Sequence, residues 1–498
     1  MEDKLAFVKW ARDHKLDQHC LRRHRIFEYE PGHVRYQFGH YPCRTPYYPT
    51  EKDWRLLDLY AERGPGVVHV WWALMDFVNI FGKGAHRPIN PDGIRCFIEE
   101  CHRRRLKVVP YISPGFLDVR DPMYRAEWSS GTPHLREVYY DLDRMCPGSP
   151  GWRAYFFDVV ERMLDDYGLD GLYFDTGFSV GCSNPHHDNH VHFVEYAPYL
   201  NQRDQTSLDH TSEGQLMEKE RNAGCWDLWN EFLCEMYARV RRRGGLMVAH
   251  IGGDRESPFR DKSWDYLLLG EGVPDIAQSI EKVKNYEPYV LRFSDWSRLV
   301  TNWREKDFAP QFDKVPELEH LIMAASIPYL QFPWLEDGNY GEEEDVFSIP
   351  GVTWKKEYDV WTEWMKAQKK AGLPPIMGAS FIAGRDRYLK YFEIYKKMTT
   401  GNTTAYLEVK TIEPLSFPVT EANRRVSVFV NESLWVALGN LGSAAQQVVV
   451  RPLTGQGGAR ELAITGKALT VLQYYDLISL PEVITFPETG SHAVIRHL

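Results

Sequence analysis

Short apolar runs alternate along the first four hundred residues with segments whose apolar positions recur every three to four residues. Val34-Arg35-Tyr36-Gln37-Phe38 is the first β-rich run, and a helical stretch follows over 50–63. Val67-Val68-His69-Val70-Trp71-Trp72 and Leu106-Lys107-Val108-Val109-Pro110-Tyr111-Ile112 predict the next two strands. Between them Asn90-Pro91 reads as a helix N-cap with proline at the first helical position, opening a helix that buries Ile94, Phe97, Ile98 and Cys101. Trp152, Tyr155, Phe156, Val159, Val160, Met163, Leu164 and Tyr167 keep a 3.6-residue period that Gly168 ends. Leu169-Asp170-Gly171-Leu172-Tyr173-Phe174-Asp175 then predicts a fourth strand. A helix face from Trp226 to Val240 stops at Gly244-Gly245, and runs at 246–251, 266–271, 289–293 and 328–332 predict four more strands.

Eight strands interleaved with helices predict an α/β fold, a (β/α)8 TIM barrel. The rival, a doubly wound sheet, usually carries a glycine-rich phosphate turn after its first strand, and Phe38-Gly39-His40-Tyr41-Pro42 is not one. From about Asn402 the texture changes to short strands and turns, at 405–409, 426–430, 434–438, 446–451, 469–474 and 493–497. That predicts a C-terminal antiparallel β-sandwich. The expected organisation is a helical lead-in over 1–32, a catalytic barrel over 33–400 and the sandwich over 401–498.

Composition narrows the function classes. Hydrophobic residues make up 43% and charged residues 26% of the 498, the balance of a soluble globular protein. No apolar run reaches the ~18 residues of a membrane span. Net charge is −10, so no broad basic field exists to hold nucleic-acid phosphates. The one basic cluster, Arg22-Arg23-His24-Arg25, reads as a solvated helix end. Eight scattered cysteines form no Cys-x-x-Cys pair, which argues against a structural zinc site and fits a reducing compartment. The start, Met1-Glu2-Asp3-Lys4, lacks the basic and apolar regions of a secretory signal, so a cytoplasmic location is expected. No cofactor is expected, neither a nucleic acid nor a membrane is expected as partner, and oligomeric state is not legible. Aromatic residues at 14% supply flat apolar faces of the kind that sugar clefts and large cores both use.

Barrel enzymes place their chemistry at the C-terminal ends of the strands. The residues there are Trp71, Trp72, Tyr111, Asp175, His250, Glu271, Asp295 and Gln331 to Trp334. Asp175 ends an apolar strand and faces the expected mouth, as nucleophile or base, or simply as a turn cap or a metal or salt-bridge partner. Glu271 follows the sixth strand between Gly270 and Gly272, whose lack of a Cβ lets backbone approach a ligand. Two strand-end carboxylates supply what glycoside hydrolysis needs, a proton donor for the leaving oxygen and a group that attacks or activates water. Two long segments, 113–149 and 176–224, flank the same mouth. The second holds His186-His187-Asp188-Asn189-His190-Val191-His192, whose His-x-His spacing raises metal binding as an alternative to a polar rim. Among His40, His69 and His250, His250 is the candidate site residue; a core role is the reading for the others.

The stretch Met145-Cys146-Pro147-Gly148-Ser149, the helix after it and Leu169-Asp170-Gly171-Leu172-Tyr173-Phe174-Asp175-Thr176-Gly177 resemble the central segment of TIM-barrel glycoside hydrolases. They are similar to the α-galactosidase-like clan and to uncharacterised hypothetical glycosyl hydrolase barrels. In that clan the nucleophile is an Asp after the fourth strand and the acid/base follows the sixth, which implies those roles for Asp175 and Glu271. The clan's acid/base is more often Asp, so Glu271 departs from its pattern. The neighbouring α-amylase superfamily expects a Glu after strand five, where this chain has His250-Ile251-Gly252-Gly253-Asp254. The resemblance implies a retaining, exo-acting α-glycosidase. Trp71, Trp72 or Trp334 would stack on sugar faces, and Tyr111, His250 and Asp254 would hydrogen-bond hydroxyls of a carbohydrate substrate. A metal-dependent barrel hydrolase and a catalytically silent carbohydrate-binding protein are the alternatives.

Overall fold

The computed structural model describes residues 2–26, 29–38, 49–71, 91–119, 121–131, 135–137, 140–175, 182, 184, 225–250, 263–269, 276–282, 284, 289–292, 315–339, 385–410 and 423–486. Seven strands lie parallel in chain order: His33–Phe38, Val67–Trp71, Lys107–Ile112, Gly171–Asp175, Leu246–His250, Tyr266–Leu269 and Tyr289–Arg292. The eighth is split by Trp334. Its first piece, Gln331–Pro333, pairs with the seventh strand, and its second, Leu335–Asn339, pairs with the first strand. Those two ladders close the sheet into a ring of eight. Strands buried on both faces read as unbroken apolar runs, and Leu246–His250 and Tyr266–Leu269 are buried at every position.

The helices that wrap the ring start and stop on local chemistry. Thr50 caps Glu51–Arg63 reciprocally with Asp53, and Gly64 ends it in the left-handed region with its N–H on Tyr60 O. Ser149 caps Pro150–Tyr167, which opens with its proline in the first turn and closes on Gly168 at φ 67. Among the described residues no helix is long and apolar enough to cross a membrane.

The eighth strand starts later than the sequence predicts. Ile327–Tyr329 forms a 3-10 turn and Leu330 takes a left-handed φ of 60, so the ladder begins at Gln331 rather than 328. The segment after the third strand is also not plain loop. Phe116–Asp118, Leu135–Glu137 and Tyr140–Arg144 make a small antiparallel sheet. Buried Asp143 fastens it by accepting from Tyr124 Oη at 2.7 Å and Ser129 Oγ at 2.9 Å. Asn184, in the segment after the fourth strand, donates to the carbonyls of Ala126 and Ser129 at 3.1 and 2.8 Å, tying the two excursions together.

Five strands of the C-terminal region and one from the N-terminal segment form a six-stranded antiparallel sheet, beside a separate two-stranded ribbon, Gln446–Val450 with Arg460–Ile464. The sheet runs Cys20–Arg25, Thr404–Val409, Arg424–Val430, Leu434–Asn440, Ala468–Tyr474, Glu482–Phe486. Its edge strand corrects the reading of Arg22-Arg23-His24-Arg25: these residues pair with Thr404–Tyr406 and Leu407 rather than ending a helix. Alternate burial along the strand keeps half of its charges wet. One face of the sheet, through Trp435, Ala437, Leu469 and Val471, joins the barrel core. The other packs Val428, Val436 and Leu472 against Phe7 and Trp10 of the N-terminal helix and Val448 and Leu462 of the ribbon. The strand expected at 493–497 lies outside the described residues.

Candidate active site

The fourth strand positions the centre of the site. At its start Gly171 lies so close to the fifth strand that an added Cβ would sit 2.0 Å from Leu246 O. Only glycine allows that approach. Side chains two residues apart share a face of a strand, so Tyr173 stands directly below Asp175 inside the ring. Asp175 is the last residue of the strand and its side chain keeps 19% of its surface exposed.

Both carboxylate oxygens of Asp175 face a partner from a neighbouring strand. On one side Tyr111, near the end of the third strand, donates its hydroxyl to Oδ2. On the other, His250 ends the fifth strand in register with Asp175 and brings Nδ1 to 2.9 Å from Oδ1. Tyr173 underlies both. Its ring centre is 5.4 Å from that of Tyr111 and 6.2 Å from that of His250, to which it is nearly parallel at 21°.

Trp334, in the break of the eighth strand, is 1% exposed. Its ring lies 5.6 Å from Tyr173 and 5.4 Å from His69, and the Arg35 guanidinium approaches it at 6.0 Å. Beneath this layer His33 Nδ1 and His69 Nε2 are 2.7 Å apart, and His33 Nε2 is 2.9 Å from Glu30 O. The carbonyl can only accept, so His33 carries its proton on Nε2 and its Nδ1 accepts from His69; the tautomers are assigned from this network. Burial pushes both below the ordinary 6.5, His33 down to about 3 with the Lys107 charge opposing protonation as well. The pair is uncharged and structural, in line with the core reading of His69.

The structure therefore brings together Asp175, Tyr111, His250 and Trp334 around one ring, Tyr173. Trp71 ends the second strand opposite Gln37 of the first; only its backbone is described. Trp72, Asp254, Glu271, Asp295 and the histidine segment 186–192 lie outside the described residues, as does His40. Sequence reasoning passes over Tyr173 as mere strand filler and over His33. The signal for Tyr173 is its two-residue spacing from Asp175. Among the described residues no group of three or more His, Cys, Asp or Glu side chains is arranged to hold a metal ion.

No protein-family model matches the sequence, and no curated protein matches it. Solved structures do. An α-amylase from Anoxybacillus aligns with a TM-score of 0.52 at 12% identity, over 91% of this chain and 99% of that one. The α-amylase of Geobacillus thermoleovorans, solved with acarbose, gives 0.51 at 10% identity over 89% and 98%. An isomaltulose synthase from Klebsiella sp. LX3 gives 0.50 at 10% over 89% and 98%. Likeness at such identities is likeness of fold, an α/β TIM barrel of the kind these enzymes use. Site residues do not transfer with it: the fifth strand here ends in His250, where the α-amylase pattern would have a Glu nearby.

Proposed function

We propose that this protein is a glycoside hydrolase whose nucleophile is Asp175. The observation that carries the reading is the carboxylate at the mouth end of the fourth barrel strand, partly exposed, with a donor hydroxyl on one oxygen and an imidazole on the other. A carboxyl group that accepts a hydrogen bond on one oxygen and has an imidazole nitrogen 2.9 Å from the other is held as the carboxylate, suited to attack rather than to proton donation. The proton donor must then come from another strand, and Glu271, two residues beyond the sixth strand Tyr266–Leu269, is the residue proposed.

In the first step an Asp175 oxygen attacks the anomeric carbon while Glu271 protonates the departing glycosidic oxygen. In the second, the Glu271 carboxylate takes a proton from water, whose oxygen displaces Asp175 and restores both groups. Net retention follows from two inversions, and requires the two carboxyl groups ~5–5.5 Å apart rather than the ~6.5–9.5 Å of inverting enzymes. The substrate proposed is a terminal sugar in α-linkage, with Trp71 or Trp72 against its faces and Asp254 on its hydroxyls; Trp334, 1% exposed and packed on Tyr173 and His69, lies beneath the site and does not stack on the sugar. A panel of aryl α- and β-glycosides tests the reading, with the anomer of the first-formed product read by NMR. The expected result is turnover of at least one α-glycoside with retention. Tight sugar binding with no turnover of any member would leave a carbohydrate-binding protein instead.

A further inference from the structure

We infer that Tyr111 and His250 are positioning residues that grip the Asp175 carboxylate from the strands on either side, with Tyr173 as their common platform. The inference rests on the nucleophile reading and replaces direct sugar contact as the role of these two side chains.

An aspartate at a strand end has a broad terminal torsion, so its carboxylate plane is not fixed by the backbone. Fixing it takes a contact on each oxygen. The barrel supplies them from opposite directions. Tyr111 pairs in register with Tyr173, two residues below Asp175. Two residues of strand rise ~6.6 Å, about the reach of a phenol, so the Tyr111 hydroxyl arrives level with the carboxylate. His250 pairs in register with Asp175 itself and needs only its near ring nitrogen, Nδ1. Burial separates the roles. Tyr111 is 2% exposed and the His250 side chain 4%, against 19% for the Asp175 side chain. A sugar in the mouth meets the carboxylate, and the two gripping groups act through it. Tyr173 holds the grip in turn, since its ring lies against both of theirs.

The geometry makes a distinction that a packing role would not. The nitrogen facing Asp175 is Nδ1, so an asparagine at 250, whose amide nitrogen falls near the Nδ1 position, keeps the contact. Glutamine, whose amide reaches to the Nε2 position, does not. In steady-state kinetics on an aryl glycoside, Tyr111→Phe and His250→Ala are expected to lower kcat about 10²-fold, the cost of a misplaced reacting group, with KM within about threefold. His250→Asn should recover at least about tenfold of the His250→Ala loss, and His250→Gln should not. Wild-type kcat in both Tyr111→Phe and His250→Ala, or equal recovery by Asn and Gln, would overturn the inference. Tyr111→Phe keeps the ring on Tyr173, so melting curves should show it folded. Imidazole 15N NMR of the whole protein tests the grip without any substrate. A proton on His250 Nδ1 in wild type, moved or lost in Asp175→Asn, is expected; a wild-type His250 protonated only on Nε2 would refute it. A protein that shows the Nδ1 proton yet turns over no glycoside would refute the hydrolase reading while leaving the grip in place.

Discussion

Mild acid should destabilise this fold through two side chains that lie under the site. His33 and His69 share one hydrogen bond at 2.7 Å in the closed ring, both fully buried. In the unfolded chain each takes a proton near its ordinary 6.5; in the folded chain burial holds His33 down to about 3 and His69 well below its usual value. Below pH 6.5 the unfolded chain binds protons that the folded chain refuses, so stability falls as pH falls, down to the region of the folded value. Above 6.5 the contribution is fully present. One pH unit below the unfolded value, each histidine costs about 1.4 kcal/mol, and the pair about 2.8 kcal/mol at pH 5.5. Most carboxylates have not begun to titrate there. The perturbation is therefore a change from pH 7.5 to 5.5, in wild type and in His33→Gln/His69→Gln. Urea unfolding followed by tryptophan fluorescence gives the free energy at each pH. The wild-type drop should exceed that of the double variant by about 2.8 kcal/mol, and the single variant His69→Gln should lose about half of the excess. Equal pH dependence in wild type and the single variant would refute the reasoning.

Other expectations are simpler. Asp337, 2% exposed on the eighth strand, is paired with Arg385 and accepts from Tyr60 Oη at 2.7 Å. Arg385→Ala strands that carboxylate and should cost about 3 kcal/mol in chemical denaturation, and a loss below about 1 would mean the pair is dispensable. Gly171→Ala would push a methyl to 2.0 Å from Leu246 O and part the fourth and fifth strands. It should cost about 3 kcal/mol or more, or leave no soluble protein, and an unchanged melting temperature would contradict the close approach. Chelation by EDTA should leave glycoside turnover unchanged, since two carboxylates suffice for the proposed steps; loss restored by zinc or manganese would bring His186 to His192 into the chemistry.

The barrel is legible because strands covered on both faces must be apolar throughout, and the places where such runs break are strand ends. Asp175 is found that way, ending the strand that its run predicts, and His250 ends the fifth strand one residue inside the run at 246–251. What joins them is not legible. The Tyr111 contact depends on the register of the third strand against the fourth, and the His33–His69 contact on the first against the second. Register is set by the closed ring and by strand stagger, and no single run contains it. The same reason hides the partner of Arg22–Arg25, an edge strand whose ladder lies at residues 404–409. The late start of the eighth strand turns on a left-handed Leu330, a conformation that a leucine gives no local hint of adopting.

The central claim is that Asp175 is the attacking group, and one comparison tests it most directly. Wild type and Asp175→Asn are assayed on the best aryl glycoside of the panel, with folding of the variant checked by its melting curve. Removing the nucleophile while keeping the shape should lower kcat by roughly three orders of magnitude or more. A folded Asp175→Asn enzyme that turns over the same glycoside at the wild-type rate would contradict it.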